Sequence, residues 1–152
     1  MGFKTLTWGV KASFRGYVEA MEGSVTLGDG ATQTEDGAIV FTAVPGGDLA
    51  FDQDGSATGS MRFTGSVTFE AHGGMLKSTL TELGIENGEE GLVLTVQDAQ
   101  MGQGRVAVAK LETVESDASE GLTLRSEITM DGMYQIADNY PPGTELDPVH
   151  LD

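Results

Sequence analysis

The sequence predicts a mainly β domain entered through one amphipathic helix, and three observations carry that prediction. Met61, Phe63, Val67 and Phe69 alternate with Arg62, Thr64, Ser66, Thr68 and Glu70, which is the period of a half-buried strand. Near the N-terminus Val10, Phe14, Tyr17 and Met21 fall at i, i+4, i+7 and i+11, an apolar stripe at helical spacing. Glycine makes up 22 of the 152 residues, about twice the usual share of roughly 7%. Its scatter suits turns between short strands.

The length and the 39% hydrophobic content are those of a single domain over residues 1–152 with a sizeable core. The helix is expected over Trp8–Met21, with Thr7 as its N-cap and Gly23 ending it. Short strands follow at Ser24–Leu27, Ala38–Thr42 and Asp48–Phe51, separated by glycine-containing turns. The strand Met61–Ala71 turns at His72-Gly73-Gly74 into Met75–Leu83, an antiparallel hairpin. Gly91–Gln97, Arg105–Glu112 and Leu122–Met130 supply three more strands. Residues Asp131–Ala137 suit a short helical turn. From Asn139 to Val149 the chain is too rich in proline for regular structure to be expected.

Charge excludes whole classes of partner. With 24 acidic against 8 basic residues the net charge is −16, which repels phosphate backbones and anionic membrane surfaces. Nucleic acid is therefore not expected. The absence of cysteine removes disulfides, thiolate metal sites and a cysteine nucleophile. No apolar run approaches the roughly 18 residues of a membrane span, and Met1-Gly2-Phe3-Lys4 leaves no room for the apolar core of a signal peptide. As written, the chain is expected in the cytoplasm; a trimmed export signal would place it outside.

Three blocks of sequence carry a family resemblance. They are Leu6-Thr7-Trp8-Gly9-Val10-Lys11-Ala12-Ser13-Phe14-Arg15-Gly16-Tyr17-Val18, the run from Phe63 to Gly74, and the ending from Tyr140 to Val149. In this order they resemble the HtaA domain family, bacterial domains associated with haem uptake. The resemblance spans nearly the whole chain. It implies an antiparallel β-sandwich of about eleven strands with an N-terminal helix and a short second helix, with a haem pocket at one end. It implies that Tyr17 binds the haem iron and that His72 contacts Tyr17. Ser13 and Tyr140 would help to hold the porphyrin and its propionates. The chain departs from the family at Asn139, where an aromatic residue commonly precedes the tyrosine, and the family's usual export or anchoring segment is not expected in the chain as written.

Tyrosine is an established haem-iron ligand, and a ferric ion favours its phenolate over a phenol that otherwise ionises near pH 10. Arginine is scarce, so Arg15 and Arg62 are candidates for clamping a substrate carboxylate or a propionate through the guanidinium fork. His150, in the terminal tail, is expected to be exposed and without a role. The calcium-like and dinucleotide-like fragments at Asp52-Gln53-Asp54-Gly55 and Gly102-Gln103-Gly104 lack the spacing and context of those sites. One alternative uses the same residues without a cofactor. In it, a cytosolic lyase or decarboxylase employs Tyr17 and His72 as acid and base on a small aromatic or carboxylate substrate. The partners expected are thus haem or a small aromatic ligand, with a homodimer as the macromolecular one.

Overall fold

The computed structural model describes residues 3–51, 57–71, 73, 76–88, 91–97, 104–117, 121–136 and 140–152. Among them the chain runs β1 (Thr5–Trp8), α1 (Ala12–Ala20), β2 (Ser24–Gly28), β3 (Thr32–Gln33), β4 (Ile39–Ala43), β5 (Ala50–Phe51) and β6 (Ala57–Thr58). It continues with β7 (Ser60–Thr64), β8 (Ser66–Ala71), β9 (Leu76–Thr81), β10 (Gly84–Gly88), β11 (Gly91–Gln97) and β12 (Arg105–Asp117). The last elements are β13 (Gly121–Ile128), α2 (Met130–Gln135) and β14 (Glu145–Leu151).

The protein is mainly β with two helices, as expected, and its main sheet is barrel-like rather than clearly one half of an eleven-stranded sandwich. Strands β1, β14, β13, β12, β11, β10, β7 and β4 pair in that order, and β4 pairs back onto β1, so eight strands close into a barrel-like sheet. Strand β3 adds to β4 outside the ring, β2, β8 and β9 form a separate three-stranded sheet, and β5 pairs with β6. Closure leaves few exposed edges.

The departure from a sandwich begins at Gly65. The expected single strand Met61–Ala71 splits there, β7 staying in the barrel and β8 joining the small sheet. Gly65 takes a φ of 117°, and a Cβ on it would stand 2.8 Å from a ring carbon of Phe41. Only glycine turns this corner without strain. Alternation continues through the break, so periodicity alone reads the two strands as one.

Two strands replace expected non-strand segments. Thr5–Trp8 is a strand because Leu6 and Trp8 alternate into the core and pair with Phe41 and Ile39. The helix therefore starts only at Ala12, and Lys11, not Thr7, occupies its N-cap. At the other end Glu145–Leu151 fills the barrel between β1 and β13. Pro148 is accommodated because the register with β13 shifts between Leu124 and Ser126, and such an irregularity spares the amide that proline lacks. His150 is accordingly a strand residue, its Nδ1 3.1 Å from the Thr123 hydroxyl.

One continuous core includes Trp8, Phe41, Phe63, Ile85, Leu94 and Leu124 from the barrel, Phe14 and Val18 from α1, and Val67 and Phe69 from β8. Each such side chain contributes about 1.5–3 kcal/mol on burial. The opposite face of the small sheet is polar: Thr68 and Thr79 hydroxyls meet at 3.1 Å, and Lys77 faces Glu70 at 3.5 Å. Helix α2 is capped by the Thr129 hydroxyl, which accepts from Gly132 N at 2.9 Å. It docks on β9, where the Ser78 hydroxyl donates to Gln135 O at 2.6 Å. Among the described residues no helix is long and apolar enough to cross a membrane.

Candidate functional site

Helix α1 buries Phe14 and Val18 and leaves Ser13 and Tyr17 towards solvent. Phe14 packs edge-on against Phe69 of β8, ring centroids 5.1 Å apart. The expected stripe through Tyr17 and Met21 is thereby corrected. Tyr17 is 39% exposed and Met21 42%, because the true buried face is Phe14 and Val18, one turn apart and rotated away from Tyr17. Tyr17 thus sits on the shoulder of the helix, beside the core without entering it.

The C-terminal block meets this helix face. Ser13 Oγ and Tyr140 Oη stand 3.1 Å apart. The Tyr140 ring also packs edge-on near Phe14, at 6.4 Å between centroids. Lys11 completes the corner: its Nζ donates to Glu145 O at 2.7 Å and lies 5.8 Å from the Tyr140 ring centroid. One of its three N–H donors is thus used. Sequence reading missed Lys11, since a lone lysine ahead of a helix carries no signal.

His72 lies outside the described residues, but the strand that leads to it is well placed. Glu70, two residues earlier, pairs with Ser24, which begins β2 shortly after α1 ends. Between them Gly23 comes so close to β8 that a Cβ there would lie 2.1 Å from Glu70 O. The end of α1 and the end of β8 are pressed together by a residue without a side chain.

The two arginines go elsewhere. Successive helical residues turn by about 100°, so Arg15 and Tyr17 point to opposite flanks of α1. On its flank Arg15 Nη1 donates to Asp147 Oδ2 at 2.7 Å and to Gly9 O at 2.6 Å, and Nη2 donates to Asp36 O at 3.3 Å. The Thr34 hydroxyl beside Asp36 holds that carboxyl below its ordinary value. Arg62 lines a cavity of about 620 Å³ with Asp29, Phe63, Gly65, Thr81 and Glu82. This cavity sits where Gly28 pairs with Ser66 and Ser66 with Thr81, at the opposite end of the small sheet from Ser24 and Glu70. Beside Arg62, burial lowers the affinity of Arg105 for its proton, and Arg62 adds to the effect. Among the described residues, its lining includes neither Tyr17, Ser13 nor Tyr140.

No curated protein sequence matches this chain. The C-terminal domain of HtaA from Corynebacterium glutamicum is similar over 99% of this chain and 96% of that one, at 28% identity and a TM-score of 0.71. For the N-terminal domain of the same protein the figures are 99%, 97%, 25% and 0.75. The haem-binding protein HtaB from the same organism shares the fold at 17% identity, with a TM-score of 0.71 over 98% and 91% of the two chains. A family model described as HtaA matches residues 4–152, and the chain therefore belongs to the HtaA family.

Proposed function

We propose that this protein binds haem, with Tyr17 as the iron ligand, His72 beside it, and Ser13 and Tyr140 on the pocket wall. The observation that carries the reading is the Ser13–Tyr140 contact of 3.1 Å, one helical turn from an exposed Tyr17. It joins two of the three sequence blocks at one helix face. Family membership and a fold shared with a haem-binding protein support the choice of ligand.

The residues present suit such a group. A phenol oxygen is a hard donor that matches ferric iron, and the bound haem supplies a cationic centre that stabilises the phenolate. Phe14 and Phe69, packed edge-on in the core behind Tyr17, hold the helix face that would meet the porphyrin. In this reading His72 hydrogen-bonds the Tyr17 phenolate and keeps it charged. Ser13, Tyr140 and the remaining Lys11 donors hold the propionates. Arg15 is engaged by Asp147, so its contribution is to the helix.

Hemin titration of the purified chain, followed in the visible spectrum, tests this. A saturable tyrosinate-type spectrum that Tyr17→Phe abolishes is expected. A wild-type chain that gives no such spectrum, or a Tyr17→Phe variant that keeps it, overturns the reading.

A further inference from the structure

Helix α1 has no cap of its own. Lys11 provides no side-chain bond at the N-cap, and the first turn holds no acidic residue. The unpaired amides and positive dipole end of the helix therefore need an acceptor from elsewhere. Asp147, in β14, is that acceptor. Ala12 N donates to its Oδ1 at 3.0 Å, and Arg15 Nη1 donates to its Oδ2 at 2.7 Å.

The backbone of Asp147 is anchored just as firmly. Its N–H donates to Val10 O at 2.9 Å, while its carbonyl accepts from Trp8 Nε1 at 2.9 Å and from the buried Ser126 hydroxyl at 2.7 Å. The carboxylate thus projects from a fixed point on the barrel. The side chains of Arg15 and Asp147 are only 19% and 29% exposed, so water screens their attraction weakly.

Two grips on one helix do what one cannot. A single contact at Ala12 fixes the helix end, and the packing of Phe14 and Val18 then limits its roll from the buried side only. A second at Arg15, on the flank away from Tyr17, fixes the roll. With a helix radius of about 5–6 Å including side chains, a roll of roughly 20° carries a side-chain tip about 2 Å. Metal–ligand bonds hold within about 0.2 Å. The tyrosine itself sits on the exposed flank, so its aim depends on what holds the opposite one.

We infer that Asp147 is a positioning residue, setting the roll of α1 and so the aim of Tyr17 and Ser13 at the ligand. The inference rests on the haem reading of Tyr17. Its test compares wild type with Asp147→Ala and Asp147→Asn in two measurements. The first, on the protein without haem, is amide hydrogen exchange of α1 against the barrel strands β11 to β13. The second is the tyrosinate spectrum and the rate of hemin release.

For Asp147→Ala, exchange in α1 is expected to accelerate about tenfold with the barrel strands unchanged, the size expected from losing a cap and a charge-assisted bond. Hemin release should also quicken about tenfold, with a shifted tyrosinate band. Asp147→Asn keeps one oxygen for the Ala12 amide and should change both about threefold; it carries the test if the alanine variant does not fold. An unchanged spectrum and release rate in a folded variant overturn the positioning role, and so does acceleration spread equally through the barrel. A wild-type chain with no saturable hemin spectrum overturns the haem reading and this inference with it, an outcome distinct from the other two.

Discussion

Ser13 Oγ and Tyr140 Oη meet at 3.1 Å across a separation of 127 residues, and that contact ties the first sequence block to the last. Each hydroxyl carries one proton, so one donates to the other and the accepting partner keeps its own proton to donate to a ligand carboxylate. Ser13→Ala and Tyr140→Phe should each weaken hemin binding by about tenfold, the scale of one hydrogen bond to a charged group. The double variant should lose less than the product, because the two residues share one contact. Fluorescence-quenching titration measures all four affinities, and strict additivity would show that the residues act apart.

Gly23 brings the end of α1 against β8. A Cβ there would lie 2.1 Å from Glu70 O and 2.8 Å from a Val18 methyl carbon, so Gly23→Ala must push helix and strand apart. A cost of about 1–3 kcal/mol is expected for such overpacking, which lowers Tm by about 3–10 °C in a chain of this size. Hemin affinity should fall as well, since the strain separates Tyr17 from the hairpin that carries His72. Thermal unfolding of the variant is the check, and an unchanged Tm would show that the two elements yield freely.

What the sequence revealed and what it hid follow physical lines. The helix bearing Ser13 and Tyr17 and the hairpin strands β8 and β9 were legible because alternation and helical spacing are local signals. The barrel was not, because closure depends on β1 and β14, which pair with each other at Leu6 and Leu151. Thr5–Trp8 is short and runs straight into helical spacing, and Glu145–Leu151 contains a proline that is tolerated only at its shifted register. Asp147 illustrates the limit most clearly. Its bonds to Ala12 and Arg15 cross 135 and 132 residues, and no local pattern marks an aspartate as the cap of so distant a helix.

The net charge of −16 opposes the approach of a net-negative ligand that carries two propionates, as haem does. Screening shortens the reach of that repulsion, the Debye length falling from about 30 Å at 0.01 M salt to about 10 Å at 0.1 M. Hemin association, followed by stopped-flow, should therefore quicken as salt rises through this range. A rate that falls instead would assign control to a local positive field, such as that of Lys11.

Arg62 separates the 620 Å³ cavity from the Ser13–Tyr140 helix face experimentally. It lines the 620 Å³ space with Asp29 and Glu82, at the end of the small sheet remote from Ser24 and Glu70. Its exposed side chain leaves the core intact when truncated, so Arg62→Ala should fold normally and keep hemin affinity within about twofold, the range of surface substitutions. Lys11→Ala is the matched control. Lys11 sits beside the Tyr140 ring, and its loss should weaken hemin binding by about tenfold, as expected for a charge-assisted hydrogen bond. Titrating the two variants in parallel decides where the propionates lie: a large loss in Arg62→Ala with none in Lys11→Ala would move them to the Arg62 cavity and detach them from Tyr17.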